Sequence, residues 1–298
     1  MLLNIQLPNT TCIRYRLFGL VILAMIGWSG FALPGAYAVE DTFEWNPLFE
    51  GIAYASVEKD APDPLEVYIV QVDLKTEGIE FFVTPSNGDE PADTNSRATS
   101  TFLKEFDLQL AINASPFSPV VNEEGHPMNI VGLSISRGDM YSGPHPDFAA
   151  LLISKENDIT MVTPSYDPSE AWNAVGGFGM LVVDGENVGA DDVRHPRTAV
   201  GVCADNRFIY MVIIDGRRPN RSVGATLHET AEWMLKVGSY QAINLDGGGS
   251  TTLVIEGSGG DPQVLNTPIH GGIPGFERVN GNHLGIYARS LSSKACCN

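Results

Sequence analysis

A chain of 298 residues that is 43% apolar can bury a substantial core, which excludes a disordered polypeptide and fits one large domain or two small ones. Its formal charge of −18 excludes general binding to nucleic acid or anionic lipid, where a basic face supplies most of the affinity. Any anionic ligand must therefore meet a local cluster of arginines, hydroxyls and backbone N–H groups that works against the global field.

Residues 1–38 read as an export signal. Arg14 and Arg16 supply the positive start, Leu17 to Leu33 the apolar stretch, and Ala36-Tyr37-Ala38 a small-residue cleavage site. The competing reading is an uncleaved anchor, since the apolar stretch is only a little short of a span of roughly 20 residues. Pro34-Gly35 and the Ala-x-Ala triplet follow at the distance a signal peptidase requires, which favours cleavage. Removal takes away two arginines and no acid, moving the charge from −18 to −20. A secreted or periplasmic protein is expected, with no membrane span left in it.

Residues 39–63 are Pro-rich and aperiodic, an expected extended lead-in. "LEVYIVQVDL" then alternates as a strand, and "GIEFFVTP" follows a turn at Glu77-Gly78, so the two are expected as a hairpin or near neighbours. "ATSTFLKEFD" is a short helix candidate with Phe102, Leu103 and Phe106 on one side. Strand patterns resume in "LQLAINASPF", "NIVGLSISRGDMYS", "FAALLISKENDITMV" with its turn at Glu156-Asn157-Asp158, and "GGFGMLVVDGENV". "RTAVGVCADNRFIYMVIIDG" is a strand pair turning at Ala204 to Arg207.

The clearest helix is "TLHETAEWMLKVG", with Leu227, Ala231, Met234 and Leu235 on one face, a Thr226/Glu229 capping box and Gly238 as terminator. After it come "QAINLDG", a glycine turn, "STTLVIEG", a Gly/Pro-rich loop over 257–281, and the closing strand "HLGIYAR". The expectation is a β-dominated α+β fold: a single domain over 64–290 with a large mixed or antiparallel sheet, some ten strands, about two main helices, and a tail over 291–298. Loops at 115–130, 164–176, 186–196 and 257–281 are the natural rim of a site.

Three cysteines remain after cleavage: Cys203 in an apolar run and the adjacent Cys296-Cys297 near the end. The odd count leaves at least one thiol unpaired within the chain or paired outside it. No Cys-x-x-Cys or His-x-x-x-His spacing suggests zinc. Acidic loops could attract a divalent cation, but no ligand spacing supports one, so no cofactor is expected.

Chemistry concentrates in "AINLDGGGSTTLVIEG", residues 242–257. Asp246-Gly247 would suffice for a two-residue hairpin, which makes Gly248 and Gly249 look surplus. Consecutive glycines let a backbone approach a ligand and aim N–H groups at an anion, and Ser250 and Thr251 would add hydroxyls at the rim. No helix pattern follows, so the turn is neither a nucleotide P-loop nor a dinucleotide fingerprint. Asp246 at a strand end could be a general base, a metal ligand or a turn residue bonded to its own backbone. Asp215 ends another apolar strand, so both acids are expected at one edge of the same sheet.

"HPRTAVGV", then "IIDGRRPNRSVGATLHETAEWMLKVGSYQAINLDGGGSTTLV", then "NHLGIYA" resembles the phosphodiester glycosidase family, that of the enzyme that uncovers mannose 6-phosphate on lysosomal glycoproteins by removing N-acetylglucosamine. "AINASPF", "GHPMNIVGLSISRGDM" and "GGFGMLVVDG" match more loosely, so the resemblance runs from about residue 65 to 289. Asn113-Ala114-Ser115-Pro116-Phe117 departs from the family's Asn-Gly-Gly-Tyr/Phe segment, which bears on the pocket wall and the preferred sugar.

The resemblance implies hydrolysis of a sugar-1-phosphodiester at the glycosidic C–O bond, giving free sugar and a phosphate monoester. Such a leaving group is already a stable anion, so the usual acid and base carboxylate pair is partly relaxed. The remaining needs are cations and N–H groups on the phosphate, and one carboxylate to activate water or stabilise charge at the anomeric carbon. Arg197 suits the phosphate, its competing reading being a surface arginine at a strand start, while Arg217 and Arg218 read equally as a solvated turn. Asp246 is the first choice for the carboxylate and Asp215 the second; Glu229 follows from its place in the family block, although capping already explains it. Asn113 could hydrogen-bond sugar or phosphate, and His195 could sit at the rim. The alternative is a non-catalytic glycan or anion binder serving surface polysaccharide.

Overall fold

The computed structural model describes residues 43–164 and 166–291. The expected signal segment and the Cys296-Cys297 pair lie outside them. The described residues form a β-dominated α+β fold, and every paired strand in it is antiparallel. Its largest sheet has eight strands in the order Asn46–Phe49, Ile52–Lys59, Leu65–Asp73, Phe208–Ile214, Arg197–Val202, Gln241–Asn244, Gly179–Val183 and Glu186–Asn187. Two five-stranded sheets accompany it, one running Pro262–Val264, Leu253–Glu256, Leu110–Asn113, His283–Tyr287, Glu80–Val83. The other runs Asp139–Ser142, Ser134–Ser136, Asn173–Gly177, Ala149–Ile153, Ile159–Val162, and a small three-stranded sheet completes the set.

Period-two alternation explains why the large sheet is apolar on both faces. In Leu65–Asp73, Val70 and Val72 enter a central core shared with Phe81, Ile112, Leu151 and Leu284 of the smaller sheets. Leu65, Val67 and Ile69 point the other way, onto α2 (Leu227–Lys236). This helix begins at the expected capping box, with Glu229 N–H donating to Thr226 Oγ1 and Thr226 N–H to Glu229 Oε2. Ala231 and Met234 are buried, and Leu227 and Leu235 pack at the margin. The short α1 (Thr99–Glu105) buries Phe102 and Leu103 against Phe82 and Val254 on the outer face of the first five-stranded sheet.

Several expectations change. Residues 46–59 hold two strands where a lead-in was expected, because Ile52 and Ala55 are buried and the second strand pairs along its whole length with Leu65–Asp73. Glu80–Val83 does not form a hairpin with Leu65–Asp73; it pairs with His283–Tyr287 in another sheet. The turn at Glu77-Gly78 carries the chain between sheets, a choice of partner that a local pattern does not encode. The hairpins at 156–158 and 204–207 form as expected. Strands number twenty-one among the described residues, many of two to four residues, too short for the alternation test. Cys203 is partly exposed and in no disulfide among the described residues, with Sγ donating to Asp205 Oδ1 at 2.9 Å. Among the described residues no helix is long and apolar enough to cross a membrane.

α2 packs over Gly201, where a Cβ would lie 2.4 Å from Ser239 Oγ, 2.5 Å from Met234 Cε and 2.8 Å from the Gln241 carbonyl oxygen. Overpacking of this kind costs about 1–3 kcal/mol. Gly201→Ala should lower the urea midpoint accordingly with an unchanged slope, and an unaltered midpoint would show that the helix is not seated on this glycine.

Candidate active site

Three strands of the large sheet set the site. Arg197–Val202 lies between Phe208–Ile214 and Gln241–Asn244, pairing Arg197 with Ile214 and Ala199 with Asn244. Both flanking strands run against it, so Asp215 and Asp246 leave the sheet at the same edge, where Arg197 enters. A cleft of about 200 Å³ opens there, lined by Asp246, Gly247, Gly248, His195, Arg197 and Arg217 among others.

The glycine turn is not a hairpin. It joins Gln241–Asn244 of the large sheet to Leu253–Glu256 of a five-stranded sheet, through a single 3-10 turn at Gly248–Ser250. Nor is it a row of free N–H groups: Gly247 N–H donates to Asp246 Oδ1, Gly248 N–H to the Pro196 carbonyl and Ser250 N–H to the Gly247 carbonyl. The glycines serve by having no side chains. A Cβ on Gly247 would stand 2.8 Å from the Pro196 carbonyl oxygen, one on Gly248 2.8 Å from Arg217 Nη2, and one on Gly249 2.5 Å from Arg278 Nη2. Gly248 also adopts φ +63°, which L residues rarely take. Two guanidinium groups therefore lie where ordinary side chains would be.

Asp246 is fixed on every side. Its N–H donates to the Ala114 carbonyl at 2.9 Å, and its own carbonyl accepts from Asn113 Nδ2 at 2.6 Å. Oδ1 accepts from Gly247 N–H at 2.9 Å and Oδ2 from the Ser250 hydroxyl at 2.6 Å. Protein atoms crowd the carboxylate while one side opens to the cleft, and this desolvation raises its pKa; the Ser250 hydrogen bond, Arg278 and the Gly247 N–H hold it down. Ser250 is buried and not on the rim, and its Oγ accepts from Arg278 Nη1 at 3.1 Å. Thr251 is buried too, its Oγ1 without a partner among the described residues.

Arg278 was not anticipated from the sequence, and it completes the arrangement. Its Nε donates to His270 Nδ1 at 3.1 Å, and His270 Nε2 lies 2.8 Å from Asn122 Oδ1. With Nδ1 accepting, the neutral ring carries its proton on Nε2 and donates it to Asn122. Burial lowers the pKa of both His270 and Arg278, and Arg217 lowers that of Arg278 further while Asp246 raises it. Arg217, exposed and at φ +58°, points Nη2 toward His195 Nδ1 at 3.4 Å. Burial, Arg197 and Arg217 together lower the His195 pKa. Neither Arg217 nor Arg278 is ion-paired with a carboxylate among the described residues. An isolated arginine in a Gly/Pro-rich rim of an acidic chain was the only signal for Arg278.

The other expected residues have different surroundings. Arg197 reaches the cleft with part of its chain, but its guanidinium turns toward α2, donating to Asp191 Oδ2 at 2.7 Å, the Val193 carbonyl at 2.7 Å and the Ala225 carbonyl at 2.8 Å. Asn113 is a bracket between sheets, its Oδ1 accepting from Thr198 Oγ1 and Thr252 N–H. Glu229 is occupied by the helix cap and by Arg194 at 2.5 Å, in a separate groove beside Lys59 and Trp233. His195 lines the cleft.

Asp215 sits beneath the site. Its carboxylate accepts from Asn266 Nδ2, Thr267 N–H and Arg218 Nη2, and Arg218 also contacts Glu66. Asn266 simultaneously donates to the Thr251 carbonyl, so Asp215 braces the glycine turn from below. Burial pushes its pKa up to about 6, against the opposing pull of Asn266, Thr267 and Arg218, with Glu66 adding a smaller upward push.

The family model for phosphodiester glycosidases matches residues 106–287, more than half of the chain. The chain belongs to the phosphodiester glycosidase family. That match takes in Asn113, Asp215, the glycine turn, both site arginines and His195. A zebrafish N-acetylglucosamine-1-phosphodiester alpha-N-acetylglucosaminidase catalytic domain, auto-inhibited by its pro-peptide, shares the fold with a TM-score of 0.59 at 20% identity, covering 82% of this chain and 85% of that one. A hypothetical protein from Synechocystis gives a TM-score of 0.63 at 17% identity, covering 80% of this chain and 62% of that one. The SPbeta prophage-derived uncharacterized protein YomE of Bacillus subtilis is 38% identical over 66 residues, which is 22% of this chain and 10% of that protein. The chain thus spans less than two thirds of the length of the Synechocystis and Bacillus proteins. No group of three or more metal-ligating side chains occurs among the described residues.

An aspartate whose folded pKa lies above its unfolded value holds an extra proton in the folded state, so its stabilisation is full at low pH and is lost as pH rises. For Asp215 the window runs from 3.8 to about 6. The loss is of order 3 kcal/mol. Relative to Asp215→Asn, the wild type should therefore lose about that much stability between about pH 4 and about pH 7, read by urea unfolding of both proteins. A difference that stays constant with pH would mean that Asp215 is ionised throughout.

Proposed function

We propose that this phosphodiester glycosidase, exported to the periplasm or the medium, hydrolyses a glycosyl phosphodiester at the glycosidic C–O bond, releasing free sugar and a phosphate monoester. The observation that carries the proposal is the pair of guanidinium groups, Arg217 and Arg278, lying without carboxylate partners over successive glycines beside Asp246. Two guanidinium groups around one carboxylate leave net positive charge at one place on an acidic protein, which suits an anion, and guanidinium matches phosphate oxygens. The phosphate role first given to Arg197 passes to these two, because the Arg197 guanidinium is engaged with Asp191.

In the reaction, water attacks the anomeric carbon, the bond from that carbon to the bridging oxygen breaks, and its electron pair stays on the phosphate. Arg217 and Arg278 stabilise the second negative charge as it forms. That monoester has a second pKa near about 6, so little protonation is required of the protein. Asp246, positioned by Asn113, Ala114 and Ser250 and open to the cleft, accepts the proton of the attacking water. Its raised pKa makes it a stronger base once ionised.

Asp246→Asn should lower kcat by about 10²–10⁴-fold with substrate affinity little changed, measured on a panel of sugar-1-phosphodiesters. A non-catalytic binder would show no turnover in either protein. Hydrolysis in oxygen-18 water should leave the phosphate monoester unlabelled; label in the phosphate would place the cut at the P–O bond and overturn the mechanism.

The Ser250 hydroxyl holds the Asp246 pKa down. Ser250→Ala should therefore move the acid limb of the kcat/KM profile to higher pH. A limb that stays in place or moves down would assign it to another group.

A further inference from the structure

The half-buried Arg278 is oriented by very little. Among the described residues its side chain makes two hydrogen bonds, Nη1 to Ser250 Oγ and Nε to His270 Nδ1, each at 3.1 Å. Nη2 lies against Gly249, where a Cβ would stand 2.5 Å from it. The space left by a glycine admits a guanidinium without choosing its plane, and a long side chain keeps its rotamer freedom until hydrogen bonds remove it. Ser250 supplies one of these bonds and is itself committed to Asp246. His270 supplies the other.

The chemistry of the donors fixes the direction of every bond. A guanidinium only donates, so Ser250 Oγ accepts from Arg278 and gives its own proton to Asp246 Oδ2 at 2.6 Å. His270 Nδ1 must accept as well, which puts the ring proton on Nε2, where Asn122 Oδ1 lies at 2.8 Å. Asn122, His270, Arg278, Ser250 and Asp246 thus form one directed series from a rim loop to the carboxylate. The other neutral tautomer of His270, or an imidazolium, would set an N–H against the Arg278 Nε–H. The ring is 8% exposed, and burial with Arg278 lowers its pKa, which keeps it neutral. Arg278 is the charged group that faces it; Asn122 and Phe276, the latter with its ring centroid 5.6 Å away, are uncharged.

We propose that His270 is a positioning residue of this site: as a neutral ring protonated on Nε2 and tied to Asn122, it fixes the Arg278 guanidinium against Ser250 and beside Asp246. This rests on the reading of the cleft as an anion-binding hydrolase site. His270 acts through Arg278 and touches no reacting atom. Because Arg278 holds the Asp246 pKa down, the ring governs both the affinity for an anion and the pH at which Asp246 becomes a base.

The test measures sulfate binding by calorimetry, and the pH profile of kcat/KM on sugar-1-phosphodiesters, for the wild type, His270→Asn and His270→Leu. Sulfate keeps one charge state across the range, and asparagine places Oδ1 where Nδ1 stood. His270→Leu should weaken sulfate by about tenfold or more, the scale of a lost hydrogen bond to a charged group. It should also move the acid limb to higher pH. His270→Asn should bind sulfate within about threefold of the wild type and keep the limb in place. Nitrogen-15 NMR of the wild type, with the His270 signals assigned by their absence in His270→Asn, should show a neutral ring protonated on Nε2. A wild type that binds no sulfate, wild-type affinity and limb in His270→Leu, equal losses in both variants, or a ring protonated on Nδ1 would each overturn the proposal. If the wild type cleaves no phosphodiester while the sulfate affinities keep this order, the hydrolase reading falls and the role of His270 stands. Turnover and sulfate binding that are both indifferent to His270→Leu would remove His270 and leave the hydrolase. Melting temperatures close to the wild type for both variants separate loss of the bond from loss of fold.

Discussion

The arrangement depends on the missing side chains of the glycine turn. Gly248 and Gly249 leave room for Arg217 and Arg278, and a Cβ at either position would push a guanidinium group out of its present place. Close to them the carboxylate of Asp246 is held by Gly247 and Ser250, and Ser250 is held by Arg278. The carboxylate and two cations are thus organised by one tight segment whose own N–H groups are largely consumed in making its shape. The exchange of space for charge, and not a nest of free amides, is what Gly248 and Gly249 accomplish, while Gly247 gives the Pro196 carbonyl its place.

That local charge has to be weighed against a strongly acidic chain. Surface carboxylates farther away than about 8–10 Å are largely screened at physiological salt. Arg217 at the wall of the cleft and the half-buried Arg278 behind Ser250 act at contact distance, where a charge interaction is stronger than between screened surface groups. Proximity wins over net charge, so an acidic protein can hold an anion. The surrounding field instead disfavours loosely attracted polyanions, which keeps the cleft for ligands small enough to reach it.

The helices, the capping box and the tight hairpins were legible because they depend on neighbours in sequence: Thr226 and Glu229 are three residues apart, and Arg197–Val202 meets Phe208–Ile214 across a short turn. The shared sheet edge of Asp215 and Asp246 was also legible, since both end apolar runs. What could not be read was partnership between sheets. Residues 46–59 looked aperiodic and proved to be strands, and Glu80–Val83 left its neighbour for His283–Tyr287. Arg197 misled for a related reason: heading a strand places a residue near a site, but alternation decides its face, and the Arg197 guanidinium faces Asp191 and Ala225. Arg278 reaches Ser250 and His270 through the fold, and no local pattern shows it.

Asp215 and Asn113 stand at the boundary between fold and chemistry. Asn113 ties the backbone of Asp246 to Thr198 and Thr252, and Asp215 reaches Thr251 through Asn266. Each therefore transmits sheet geometry to the turn, and each carries a polar cost in the core for doing so. The most direct measurement of the whole account is a crystal structure of the wild type soaked with a hexose 1-phosphate. The account predicts phosphate oxygens within about 3 Å of both Arg217 and Arg278 beside Asp246. Phosphate bound instead in the Arg194 groove, with both of these guanidinium groups unoccupied, would contradict it.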